Sequence, residues 1–144
     1  MTNEEEPRDI KVVALDIYRT VLCGDDHDDE LPARRGLEEF FDICDKRKIK
    51  VVSTSDADIK NVKIDLKQAG VNLDRFDNFY RLDQLYWKDF MFVVRDYGIT
   101  PRNLLVIGDS YKDIEGAIRI GAFYLKVPEY MEAWDDFDFS KIRI

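Results

Sequence analysis

Short apolar runs separated by stretches of helical periodicity constrain this chain more than any other feature. Val12–Leu15, Ile49–Val52 and Ala122–Val127 are such runs, Asn103–Gly108 is another, and Asn78–Leu82 is a weaker one. Runs this short, with little polar alternation, are strands buried on both faces, the kind found inside parallel sheets. Between them, Leu37, Phe40, Phe41 and Cys44 recur at helical spacing, as do Ile59, Val62, Leu66 and Ala69, and Phe90, Val93, Val94 and Tyr97. In the last helical stretch Ile114, Ala117, Ile118 and Gly121 make the expected buried side. Asp56 or Asp58 can start the second helix, Gly70 and Gly98 stop the second and third, and Lys46, Arg47 and Lys48 suit the end of the first. Strand and helix in strict alternation predict a doubly wound parallel sheet.

The strand ends carry the polar residues. Asp16 follows the first run, Ser53, Thr54 and Ser55 follow the second, Lys88 opens the third helical stretch, and Asp109 and Asp113 follow the fourth run in GDSYKD. A single Asp after a strand most simply starts a turn or caps a helix. Four such groups at strand C-termini or helix N-termini are brought by one fold to one edge, where open α/β sheets bind ligands. Lys88 is also misplaced for the helix macrodipole, which favours acids at that end.

Length and composition limit the rest. The chain of 144 residues, 45% hydrophobic, fits one domain with a core, and its formal net charge of −8 disfavours nucleic acid as a partner. Cys23 and Cys44 form no metal or redox spacing and suit a reducing, cytoplasmic setting. No apolar stretch is long enough for a membrane span, and MTNEEEPRD is acidic rather than a basic signal region. The expected organisation is a flexible N-terminus (1–10), a core domain (11–128) and a C-terminal tail (129–144). The tail's aromatics and acids serve as a covering segment or a partner site, covering being the simpler reading. The loop from Asp25 to Glu30, with His27 among its acids, reads as a solvated acidic loop rather than a metal site.

Taken together, D-x-Y-x-T from Asp16 to Thr20, Ser53-Thr54 after the second strand, Lys88 at a helix start, and G-D-x-x-x-D from Gly108 to Asp113 resemble the haloacid dehalogenase superfamily. The resemblance runs from about Lys11 to Val127. It implies a three-layer α/β/α Rossmann-like fold with a squiggle and flap after Thr20. It also implies a phosphatase chemistry in which Asp16 is the nucleophile and forms an aspartyl-phosphate. Mg²⁺ would be held by Asp16, the Tyr18 backbone carbonyl and Asp109, with Asp113 binding directly or orienting a ligand water. Ser53, or failing it Thr54, would hydrogen-bond the phosphoryl group, Thr20 would belong to the same substrate-binding set, and Lys88 would neutralise the charge shared with the nucleophile. Partners implied are a phosphorylated small molecule or protein.

Two departures from that pattern bear on function. Family phosphatases carry a second aspartate two positions after the nucleophile, as general acid and then base; here Tyr18 stands there. A phenol with a pKa near 10 assists poorly at neutral pH, at a cost of about 10² to 10⁴ in rate. Tyrosine at this place resembles the metal-independent 2-haloacid dehalogenases, yet Asp109 and Asp113 are kept, and the chain has no room for a cap domain. A capless site implies either a large substrate or a homo-oligomer whose neighbour supplies the lid. Arg19 replaces a frequent glycine and is either exposed or within reach of the phosphate. The expected function is a Mg²⁺-dependent phosphohydrolase or phosphotransferase with weakened acid assistance. The alternatives are a degenerate binder of a phosphorylated ligand or protein and, third, a dehalogenase-like hydrolase.

Overall fold

The structure, a computed structural model, describes residues 6–25, 28, 31–128 and 137–144. Five parallel strands form one sheet: β1 (Val12–Leu15), β2 (Lys50–Ser53), β3 (Asn78–Phe79), β4 (Leu104–Gly108) and β5 (Phe123–Lys126). Their spatial order is β3-β2-β1-β4-β5, so strand order reverses at β1, with β2 on one side and β4 on the other. The crevice beside β1 is therefore the topological switch point. Four helices join the strands: α1 (Leu37–Lys46), α2 (Ile59–Gln68), α3 (Met91–Tyr97) and α4 (Tyr111–Ile120).

Alternation along each central strand divides the core in two. Val13, Leu15, Val51, Leu105 and Ile107 pack with Phe40 and Phe41 of α1 and Val62 and Leu66 of α2. On the opposite face Val12, Ala14, Val52, Leu104 and Val106 pack with Phe90, with Val93 and Val94 of α3 and with Ala117 of α4. The chain is thus three layers, helices over both faces of a sheet whose central strands are wholly buried. Helix boundaries follow local chemistry: Asp58 caps α2 by accepting from the Lys60 amide at 2.8 Å, and Gly98 ends α3 at φ +61°.

Two expectations are corrected, in the third strand and in α4. The third strand is two residues long rather than five; beyond Phe79 the Tyr80 amide donates to the Ser53 carbonyl and the Leu82 amide to that of Ser55, where β2 has already ended. Lys88 lies just before α3, ahead of the N-cap Phe90, in keeping with its expected place at or just before that helix's first turn. In α4 the buried side is Asp113, Gly116 and Ala117, while Ile118 is exposed. Of the tail, Phe139 is buried against Phe40 of α1, ring centroids 5.6 Å apart, so the described end covers the α1 layer. Residues 1–5 and 129–136, and Asp26, His27, Asp29 and Glu30 of the acidic loop, lie outside the described residues.

Candidate active site

The end of β1 sets the centre. Leu15 pairs with Ile107 of β4 and Ser53 of β2, and the Asp16 amide donates to the Ile107 carbonyl at 2.9 Å. This fixes Asp16 one residue beyond the strand with β2 and β4 ending beside it. The chain then turns back: the amides of Thr20, Val21 and Leu22 all donate to the Ile17 carbonyl. That turn buries Thr20 beside Asp16, where its hydroxyl donates to Asp16 Oδ2 at 3.1 Å and lies 3.5 Å from Asp109 Oδ1. Arg19 occupies the left-handed region at φ +64°, the conformation that favours glycine. Its guanidinium grips Asp25 through two bonds, at 2.8 and 3.0 Å, on the protein surface.

Lys88 reaches the same point from the other side of the sheet. Its amide donates to the Lys112 carbonyl in the first turn of α4 at 3.1 Å, and its carbonyl lies over Gly116, where a Cβ would come within 2.3 Å. The side chain, 3% exposed, places Nζ 3.0 Å from Asp16 Oδ1 and 2.6 Å from Asp113 Oδ1. Asp113 is fixed in turn by a capping box, in which its carboxylate accepts from the Ser110 amide at 3.4 Å, and Ser110 Oγ also donates to Asp113 Oδ2 at 2.8 Å. Gly108 makes room for that carboxylate, since a Cβ there would come within 2.4 Å of it.

Three carboxylates, Asp16, Asp109 and Asp113, each offer an oxygen within 4.8 Å of the others, against one buried ammonium. Burial pushes the Asp16 carboxyl up to about 6; Lys88 opposes the rise and Asp109 adds to it. Asp113 is raised to about 6 by burial and by Asp16, against Lys88. Burial and then Asp113 raise Asp109, while its contact with Asp16 pulls the other way. Lys88 is held charged, because Asp113 and Asp16 outweigh the burial that would discharge it. An uncompensated excess of negative charge in a dry pocket invites a cation. Hard oxygen donors of this number suit Mg²⁺.

At the end of β2, the Ser53 and Thr54 hydroxyls are buried and find no hydrogen-bond partner among the described residues. An unsatisfied buried hydroxyl costs about 1–3 kcal/mol, a cost that an oxyanion placed there would remove. Tyr18 does not join this group: its ring packs against the α1/α2 side of the core, and its hydroxyl donates to Asp65 of α2 at 2.5 Å.

Asp16, Thr20, Lys88, Asp109 and Asp113 are thus linked by direct contacts, with Ser53 and Thr54 on the adjoining strand end, while Arg19 and Tyr18 engage Asp25 and Asp65. Sequence reasoning missed Ser110, although S-x-x-D ahead of an apolar run is a recognisable capping signal. It also missed Gly116 and Asp65, whose roles depend on contacts with no local signature.

A family model described as a hydrolase, haloacid dehalogenase-like hydrolase, matches residues 2–121. No curated protein sequence matches the chain significantly. Among solved structures, an uncharacterized protein from Listeria monocytogenes serotype 4b is similar with a TM-score of 0.67 and 21% identity, over 82% of this chain and 78% of that one. The N-terminal part of a Bacteroides fragilis protein, containing a phosphatase domain complexed with Mg, gives a TM-score of 0.70 at 15% identity, over 92% of this chain and 40% of its own. L-2-haloacid dehalogenase from Xanthobacter autotrophicus gives 0.64 at 14% identity, over 82% and 77%. At these identities the likeness is one of fold.

Proposed function

The chain belongs to the haloacid dehalogenase-like hydrolases, and from that premise we propose that it is a Mg²⁺-dependent phosphohydrolase or phosphotransferase acting through an aspartyl-phosphate on Asp16. The observation that carries this reading is the cluster of Asp16, Asp109 and Asp113, whose donor oxygens lie within 4.8 Å of one another beside Lys88.

Asp16, the Tyr18 backbone carbonyl and Asp109 would hold Mg²⁺, with Asp113 as a further ligand or holding a ligand water. When bound, the ion supplies charge neutralisation between two anions. The chain's own groups do the rest. Thr20 orients Asp16 by donating to Oδ2, which leaves Oδ1, the oxygen facing Lys88, to attack phosphorus. As that P–O bond forms, the bond to the leaving oxygen breaks and its electron pair departs with the leaving group. The Ser53 and Thr54 hydroxyls donate to the phosphoryl oxygens, and Lys88 offsets the charge shared between carboxylate and phosphoryl group. Water then attacks the phosphorus of the aspartyl-phosphate, the P–O bond to Asp16 breaks with its electron pair returning to the carboxylate, and the water's proton leaves with the inorganic phosphate.

With Tyr18 bonded to Asp65 in place of a second aspartate, little proton assistance reaches the leaving group, so substrates whose leaving groups depart as stable anions are favoured: acyl and aryl phosphates. The same feature supports a second reading, a protein that binds a phosphorylated ligand without turning it over. Phosphate release from acetyl phosphate and p-nitrophenyl phosphate, with and without Mg²⁺ and with Asp16→Asn as the blank, separates the two. Metal-dependent release that disappears in the variant supports the hydrolase. Folded protein with no release above the blank, and no beryllofluoride adduct on Asp16, makes the binder the better reading.

A further inference from the structure

Isolated exposed hydrophobics are ordinary, but their placement here is uneven. Among the described residues, the three most exposed large hydrophobic side chains are Leu85 at 75%, Tyr86 at 68% and Tyr111 at 66%. All three stand within three positions of the site: Leu85 and Tyr86 just before Lys88, and Tyr111 midway between Asp109 and Asp113. The two segments are joined, since the Lys88 amide donates to the carbonyl of Lys112, the neighbour of Tyr111.

The loop that carries Leu85 and Tyr86 is fastened at both ends. Gln84 Oε1 accepts from the Asp89 amide at 3.0 Å, and the Trp87 ring lies 3.6 Å from the Arg119 guanidinium of α4. Trp87 is thereby anchored on the helix, while Tyr86, its ring 6.1 Å from the Trp87 ring, faces solvent. A loop held this firmly presents its apolar tip already ordered, so a ligand meeting it loses little to conformational entropy.

We propose that Leu85, Tyr86 and Tyr111 form an apolar rim that receives the leaving group, and that the substrate is an aryl phosphate rather than an acyl phosphate. The inference rests on the phosphohydrolase reading above. Two independent observations converge on it: Tyr18, bonded to Asp65, restricts turnover to leaving groups that need no proton, and the rim supplies contact area that a small acyl group cannot use. A phenolic ester meets both conditions, with a leaving oxygen that departs as a phenoxide and a ring to stack on exposed tyrosines.

The test compares 2-naphthyl phosphate with acetyl phosphate in the native protein and in the Tyr86→Ala/Tyr111→Ala double variant, whose altered side chains are both largely exposed. The expected result is a fall of about tenfold or more in the ratio of their kcat/KM values, within the range by which apolar contacts discriminate substrates. An unchanged ratio overturns the proposal. Binding of two inert phosphonates, 2-naphthylmethylphosphonate and methylphosphonate, is measured alongside by calorimetry in the presence of Mg²⁺. The rim predicts about tenfold tighter binding of the naphthyl compound in the native protein and loss of that preference in the double variant; equal affinities in the native protein overturn it. If neither phosphate is turned over, the hydrolase reading fails, and the phosphonate pair still decides for or against an aryl-recognising rim.

Discussion

Two positions beyond Asp16, Tyr18 donates a hydrogen bond from its hydroxyl to Asp65 and packs its ring on the α1/α2 side of the core. Tyr18→Asp should therefore place a carboxyl where acid assistance is missing. Its expected effect is a gain of about 10² in kcat/KM on alkyl phosphates, with a much smaller change on acetyl phosphate; equal changes on the two would count against this account. Crowding of carboxylates leads to a second expectation, in metal-free buffer. Folded Asp16 and Asp113 take up protons near pH 6, both raised first by burial, whereas in the unfolded chain they do so near 4. The folded state thus binds more protons between about pH 6 and 4, so its stability rises as pH falls from 7 through that window. Urea midpoints at pH 7 and pH 5 check this, and excess Mg²⁺ at pH 7 should raise the midpoint. At this scale the sequence shows the residue types and their order. It does not show that the Ser53 and Thr54 hydroxyls lack partners among the described residues or that Tyr18 has one in Asp65, 47 positions away.

Helix α4 is set in phase by its site side. Asp113 faces Lys88, and Gly116 one turn on lies under the Lys88 backbone, which rotates Ile118 out to solvent. Reading the buried side from the apolar residues alone gave Ile114, Ala117, Ile118 and Gly121; a charged residue is not counted as buried by periodicity, yet here it fixes the phase. Gly116→Ala tests this. On helix propensity alone the change would stabilise by about 1 kcal/mol. Because the new methyl would come within 2.3 Å of the Lys88 carbonyl, the expected net effect is destabilisation by about 1–3 kcal/mol. The displaced Lys88 should also cost at least about tenfold in kcat. Thermal unfolding and phosphate-release assays on the same preparation read both. The strand ends and the caps at Asp58 and Gly98 were more legible, since these residues act through bonds within a few residues of themselves.

Across the whole molecule, the described tail closes over α1. Phe139 is buried between Phe40 and Phe137, and Arg34, itself buried, lies under the Phe137 ring and donates to the Pro128 carbonyl at 3.3 Å. Phe139→Ala should lower stability by about 3–5 kcal/mol, seen as a lower urea midpoint. The site, at the C-terminal edge of the sheet, should keep the proposed Mg²⁺-dependent activity in proportion to the folded fraction. The sequence by itself determined the alternation of strand and helix, and with it a parallel sheet whose C-terminal edge gathers Asp16, Ser53, Lys88, Asp109 and Asp113. Those features rest on periodicity and chain order, which are local properties. Tertiary structure alone decided the strand order with its switch at β1, the phase of α4, the pairing of Tyr18 with Asp65 and the exposure of Leu85, Tyr86 and Tyr111. Each of these depends on which distant surfaces meet, and close packing between segments far apart in the chain leaves no periodic trace along it.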